Sequence, residues 1–369
     1  MVSIKKLDES YNQRMLEILS STPMKTDLIE LYFDMSPDLF RSNKFWSNQF
    51  SHYGILVDNL LVGFGKHVEF KGLINNKIEN VSYFGNFCLH KDFRGKGLFK
   101  QLCEYLFDKV LNDSDIGFCA VLNGNMAVEK YFKDNTFRFS RHLSTIHFAE
   151  LETRSLLITK KKKIVSVYKV IRGNPDNEEQ IIDFLKKGFK ERALAPKLSK
   201  TLFKKKLTPA SGLSIQDYLI VYKEEKIVGV CAAWDIKNFK RTKVLKYKNQ
   251  YKIVYHVFNV ICKILRYPKM PKPGHDLKEV YVTDLMIADN EPKVFSTILS
   301  VINNEFKNKG YNLIHFSTYK NNPLLKGCKP FYSVPVYSNI YAFSKNIEAL
   351  NELEKTKNEA KPYLDLALI

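Results

Sequence analysis

One junction constrains this chain more than any other. The strand-like run NVSYFGNFCLH, residues 80 to 90, passes through KDFRGKG directly into an amphipathic helix pattern. Within that pattern Leu98, Leu102, Tyr105, Leu106 and Val110 recur at helical spacing. A strand that becomes a helix within a few residues needs backbone freedom at the turn, and Gly95 and Gly97 supply it. Closely spaced glycines also expose successive N–H groups, and the helix opening at Leu98 adds unpaired N–H groups and the positive end of its dipole. Arg94 and Lys96 add charge of the same sign. These are the requirements of a pyrophosphate cradle. The nucleoside triphosphate loop needs a longer glycine spacing followed by Lys-Ser or Lys-Thr, and the dinucleotide fingerprint wants a third glycine. A basic turn without a ligand is the competing reading. The placement of this turn between a long strand and an amphipathic helix argues against it.

The pattern around the junction is α/β. Strands are expected in VSIKKL, HYGILVDN, LVGFGKHVEF, IGFCAVL and FRFSRHLSTIHF, with helices over Tyr11 to Ser20 and near Met126 to Asp134. At 369 residues the chain exceeds the usual size of one domain. The stretch from Glu152 to Lys163 has no helical period and reads as a connection. Beyond it IVSVYKVI, a helix over Glu178 to Phe189, QDYLIVYKEE, KIVGVCAAW, EVYVTDLMIA, a helix ending at Gly310 and NLIHFSTY repeat the earlier order of elements. The expected units are 1–155, 164–345 with a basic insertion near 237–273, and a C-terminal helix and tail over 346–369. Disorder is expected only at the extreme C-terminus.

In sequence, residues 1 to 151 resemble a GNAT-superfamily acetyltransferase domain, whose phosphate loop reads Arg/Gln-x-x-Gly-x-Gly/Ala. The matching positions here are Arg94, Gly97 and Phe99, with Phe99 larger than the small residue usual there. The resemblance implies two tandem GNAT-like domains, each a mixed, mostly antiparallel sheet flanked by helices. It implies an acyl-CoA co-substrate, acetyl-CoA foremost, bound by Arg94, Gly95, Lys96, Gly97, Leu98 and Phe99. It also implies that the preceding strand offers its backbone to pantetheine, placing Phe87 and Leu89 beside the thioester. The family's next feature is an Asn followed seven residues later by a Tyr. From Asn125, which the resemblance makes a further cofactor-binding residue, the seventh position is Phe132, and the tyrosine stands one place earlier, at Tyr131. Such a tyrosine would protonate the departing thiolate. One residue turns a side chain by ~100° on a helix, so Tyr131 reads either as this general acid or as a packed tyrosine. The implied reaction is direct attack of a primary amine, an amino sugar or other small amine, on the thioester.

No general base for that amine stands out. His90, His142 and His147 fall near the expected cleft, and Glu104 and Glu129 fall on helices where charges ordinarily face solvent. In the second half the loop reads IADNEPKVF, without glycine, and Asp289 and Glu291 would repel a pyrophosphate. That half is expected to be a degenerate domain that binds no CoA. The six cysteines form no C-x-x-C pair, so a reducing compartment without structural zinc is expected. With no signal-like N-terminus and no apolar run near ~20 residues, the expectation is a cytoplasmic protein.

The formal net charge of +19 favours anionic partners. Basic and aromatic residues do not interleave in a recognised nucleic-acid motif. From Tyr247 to Arg266, Lys252, His256, Asn259, Lys263 and Arg266 define a narrow polar face on an otherwise apolar helix, next to the basic KNFKRTKVLKYK. Either this helix lies on an anionic membrane surface, or its apolar face packs in an interdomain core or a dimer interface.

Overall fold

The computed structural model of the protein describes residues 1–25, 28–75, 77–112, 115–133, 143–164, 167–356, 359 and 361–369. Its strands are β1 (Val2–Leu7), β2 (Met24–Lys25), β3 (Ile29–Asp34), β4 (Gln49–Val57), β5 (Leu60–Ile74), β6 (Lys77–Leu89), β7 (Ile116–Leu122) and β8 (Ser144–Leu157). They continue as β9 (Tyr168–Arg172), β10 (Tyr218–Lys223), β11 (Lys226–Trp234), β12 (Arg241–Tyr247), β13 (Glu279–Ile287), β14 (Leu313–Tyr319) and β15 (Ser333–Ser344). The α-helices are α1 (Asn12–Ser20), α2 (Leu98–Tyr105), α3 (Met126–Lys133), α4 (Glu178–Lys190), α5 (Lys200–Lys206), α6 (Asn249–Leu265), α7 (Pro292–Asn308) and α8 (Ile347–Lys355).

Local chemistry explains the joints. Asp58 and Asn59 both take left-handed backbone angles, the pair a two-residue hairpin between β4 and β5 requires. Helix α2 passes into a π-helical segment, Leu106–Val110. Asn174 caps the turn before α4 through its side-chain oxygen. Ser199 caps α5 in the same way.

Twelve strands form one mixed sheet in the order β1-β4-β5-β6-β7-β15-β8-β14-β13-β11-β10-β9. The two halves of this order mirror each other. Their inner strands are exchanged: β7 pairs with β15, which comes from the second half of the chain, and β14 pairs with β8, from the first. Strands β15 and β8 then pair with each other from Ser333↔Leu156 to Ser344↔Ser144. One face of the sheet carries a single apolar core that runs across both halves, from Trp46, Tyr83 and Phe118 to Trp234, Tyr281 and Leu368. On the other face each half has its own core, under α2 and α3 in the first and under α7 in the second.

Two sequence expectations differ from the structure, and one feature was not anticipated. The stretch from Glu152 is strand as far as Leu157, because β8 must span both β15 and β14. The extreme C-terminus is packed, with Leu364, Ala367 and Leu368 buried in the shared core. A small second sheet, β12-β3-β2, lies outside the main one. It joins residues more than 200 positions apart, a pairing invisible to local periodicity.

Candidate functional site: a forked strand pair and a glycine turn

Strands β6 and β7 run parallel through Val81↔Ile116, Ser82↔Gly117 and Tyr83↔Phe118, and beyond that pair they diverge. The divergence coincides with a bulge in β6. Against β5, Lys66 pairs with Gly85 and Phe64 with Cys88, so Gly65 faces both Asn86 and Phe87. Asn86 holds φ +51°, a left-handed conformation that Asn tolerates better than most residues. A bulge bends its strand and breaks the ladder locally, which opens β6 away from β7. Gly65 is required opposite it, since a Cβ there would meet the Phe87 ring at 2.6 Å. The reading from sequence missed Asn86. Its signal was a Gly-Asn pair inside an apolar strand run.

At the end of β6 the chain makes the glycine turn. His90 Nδ1 accepts from the Asp92 N–H at 3.5 Å, and Arg94 Nε donates to the Leu89 carbonyl at 3.2 Å, folding the turn against the strand end. Gly95 and Gly97 have φ of +78° and +74°. Gly97 is the N-cap of α2 and brings no side chain to its first-turn N–H groups. Arg94, Gly95, Lys96 and Gly97 are exposed, Leu98 is buried, and the Lys96 ammonium lies over the Phe93 ring at 5.0 Å.

Three aromatic rings tie this turn to the fork and to α3. Phe87 and Phe99 are 5.8 Å apart, and Phe99 and Tyr131 are 6.1 Å apart. The large Phe99 side chain therefore points inward, between β6 and α3. Tyr131 faces the opening of α2, whereas Phe132 turns to the sheet and stacks on Tyr341 at 4.4 Å. Asn125 is exposed, and its carbonyl accepts from the N–H groups of Val128 and Glu129 at the start of α3. Leu89 pairs with Gly63 at the tip of β6. Thus Phe87, Leu89, the turn, Phe99 and Tyr131 converge, while Asn125 stands at the far end of α3.

The histidines and glutamates divide differently. Buried Glu129 accepts from Asn339 Nδ2 at 3.0 Å, and Asn339 Oδ1 lies 2.9 Å from His147 Nε2, a chain that pins α3 to β15 and β8. Glu104 pairs with Lys100 one turn away on α2. His142 lies outside the described residues. On the opposite face of the fork stands Lys66, fully buried, with its ammonium nitrogen 2.9 Å from the Leu368 carbonyl and over the Trp46 and Tyr83 rings. Burial, with the nearby Lys240 charge adding to it, pushes its pKa down to about 7.

The second half contains the same fork. Strands β13 and β14 pair through Tyr281↔His315 and then part. Against β11, Ala232 pairs with Thr283 and Val230 with Met286, leaving Asp284, φ +50°, in the place Asn86 holds in β6. Here the fork is filled by the chain itself. Pro362 to Leu366 line one small cavity together with Val282 to Leu285 on one arm and Ser317 and Thr318 on the other. The filling is cross-linked by buried polar groups. Lys206 donates to Asp284 at 2.8 Å and to Asp365 at 3.0 Å, Tyr218 donates to Asp284 at 2.6 Å, and Thr283 to Asp365 at 2.6 Å. Burial alone would lower the Lys206 pKa; the two carboxylates override it and hold the ammonium above the ordinary lysine value. At the turn that follows, the Glu291 carboxylate accepts from the Lys293 N–H at 3.1 Å and occupies the first turn of α7 itself.

A forked parallel pair followed by a glycine turn at a helix N-terminus presents free backbone N–H groups beside a gap in the sheet, an anion-binding arrangement. Residues 12–137 match the model of the acetyltransferase (GNAT) family, so that stretch is a GNAT acetyltransferase domain and the chain an N-acetyltransferase enzyme. No curated protein matches the chain in sequence. Among solved structures, Saccharomyces cerevisiae N-myristoyltransferase with bound myristoyl-CoA is similar over 93% of this chain and 79% of its own, at 13% identity and a TM-score of 0.60. A GCN5-related N-acetyltransferase from Anabaena variabilis is similar over 94% and 74%, at 7% identity and a TM-score of 0.52. The glucosamine N-acetyltransferase region of a fungal multi-domain β-N-acetylglucosaminidase is similar over 92% of this chain and 38% of that one, at 9% identity and a TM-score of 0.60. At these identities the likeness is one of fold, and it extends across both halves.

Proposed function

We propose that this protein transfers an acyl group, acetyl foremost, from acyl-CoA to the primary amine of a small molecule such as an amino sugar. The observation that carries the reading is the contrast between the two forks. The first has the bulge, the uncapped helix start and the basic glycine turn; in the second, the chain's own C-terminal segment and the Glu291 cap stand where a cofactor would lie. One acyl-CoA per chain follows, with its pyrophosphate on the N–H groups of 95–99 and its pantetheine along the open edge of β6.

In the proposed reaction the amine nitrogen attacks the thioester carbonyl, and backbone N–H groups at the Asn86 bulge stabilise the oxyanion. The C–S bond then breaks, the thiolate takes a proton from Tyr131, the amine's extra proton leaves to solvent, and solvent reprotonates the Tyr131 oxygen. The orientation of Tyr131 towards Phe99 and the turn supports this role, and Phe132, which stacks on Tyr341, has no proton to donate. Six free cysteines, five of them buried, support the reading of a cytoplasmic protein.

Calorimetric titration of acetyl-CoA into the wild type and Gly97→Glu tests the cofactor site. The expected result is one site per chain, abolished by a carboxylate placed against the pyrophosphate at a position where φ is +74°. Equal binding by both, with the variant folded, would overturn the assignment of the turn. On turnover, Tyr131→Phe is expected to lower kcat by roughly 10²-fold with the KM for acetyl-CoA nearly unchanged. An unchanged kcat would remove Tyr131 from the mechanism.

A further inference from the structure

Helix α6 is built inside out. It touches the protein through Tyr251, Tyr255, Phe258, Asn259 and Cys262. Tyr255 stacks on Tyr247 at 4.3 Å, and Asn259 exchanges two hydrogen bonds with the backbone of Met270. Every Ile, Val and Leu from Ile253 to Leu265 is exposed, Ile253 by 72% and Ile264 by 73%. At 100° per residue these side chains cover about 140° of arc, and the protein-facing residues occupy the far side. Lys252, His256 and Lys263 run along one margin of the apolar arc, and Arg266, the left-handed C-cap, is exposed at the end of the helix. The polar stripe legible in the sequence is therefore a border, and the apolar face it borders is turned away from the protein.

Charge around the helix has one sign. Between Asp235 and Asp276 the chain contains 11 lysines and arginines and no acidic residue. Lys237, Arg241, Lys243 and Lys246 are paired with carboxylates from elsewhere. Lys252, Lys263, Arg266, Lys269 and Lys272 are exposed and make no ion pair among the described residues. A second copy packed on this face would bring like charges together with nothing to offset them. An anionic lipid surface would accept both the apolar arc and its basic margin. The helix has 17 residues, about 25 Å of length, and no helix of the described residues is long and apolar enough to cross a membrane.

We propose that α6 docks the enzyme on an anionic membrane surface, lying in its plane with the Ile253–Leu265 face among the acyl chains and the basic margin at the headgroups. Flotation of the full chain with phosphatidylcholine vesicles, with and without phosphatidylserine, tests this. The double variant Ile253→Asn/Ile264→Asn and the charge variant Lys263→Gln/Arg266→Gln change exposed side chains and are expected to leave acetyl-CoA binding as in the wild type. The wild type is expected to float with the phosphatidylserine vesicles and only weakly with phosphatidylcholine alone. The double variant should lose at least about 10-fold in partitioning, and the charge variant and added salt should each weaken it. Three results would overturn the proposal. They are no flotation of the wild type, equal flotation of the double variant, and lipid-free dimers abolished by the double variant, which would make the face a protein interface. Failure of acetyl-CoA to bind would bear on the proposed activity and leave the docking result standing.

Discussion

Lys66 shows how much a single side chain costs when the fold surrounds it. Two aromatic faces attract a buried cation by about 2 kcal/mol, less than the several kcal/mol that burying an ammonium costs, so burial prevails and the amine titrates at about 7. In the unfolded chain its value returns to 10.5. Between those values the unfolded chain binds a proton that the folded chain lacks, so stability rises with pH across that window and is level below it. Subtracting the urea stability of Lys66→Met from that of the wild type at each pH should therefore give a difference that climbs from about pH 7 towards 10. A flat difference would mean the amine stays charged in the fold. Nothing in the sequence marks Lys66 as buried; it sits in the strand GFGKHVEF like any solvated lysine.

At the scale of elements, the bulge in β6 is the device that turns a strand pair into a binding fork. Its requirement is a residue that accepts φ +51° at position 86. A β-branched side chain there costs about 1–2 kcal/mol or flattens the bulge, whereas glycine is expected to be tolerated. Asn86→Val should lower the Tm and weaken acetyl-CoA binding, with Asn86→Gly close to wild type in both. Undiminished acetyl-CoA binding by Asn86→Val would show that the cofactor does not need the bulge. The glycine turn, by contrast, was legible from residues alone, since its chemistry is backbone chemistry and Gly95 and Gly97 announce it. Tyr131 was legible only as a choice between a general acid and a packed tyrosine; it faces Phe99, and the turnover of Tyr131→Phe decides between the two.

Over the whole molecule, exchange of β8 and β15 and the core shared from Trp46 to Leu368 join the halves more closely than a linker would. The buried Lys66 ammonium of β5, 2.9 Å from the Leu368 carbonyl, adds a second tie between the first half and the C-terminal segment. We infer that 1–155 and 164–345 do not fold as separate domains. A fragment ending at Leu157 would leave β7 and β8 without their shared partner and expose the Trp46–Tyr83–Phe118 face. Expressed alone it should aggregate or lack a cooperative thermal transition, and the full chain should unfold in one step by both circular dichroism and tyrosine fluorescence. A fragment that unfolds cooperatively with the same Tm would refute the coupling.

Local periodicity and turn chemistry depend on near neighbours in the chain, and those were enough for the α/β class, the order of most main-sheet strands and their helices, the glycine turn and the loss of that turn in the second half. Three features depend on residues far apart in sequence: β15 inserted between β7 and β8, the C-terminal segment filling the second fork, and the outward apolar face of α6. Each is decided by which surface remains to be covered once the sheet has formed. A 17-residue helix pattern states how wide its apolar face is, and only its neighbours, Tyr247 and Met270, decide which side of it meets the protein.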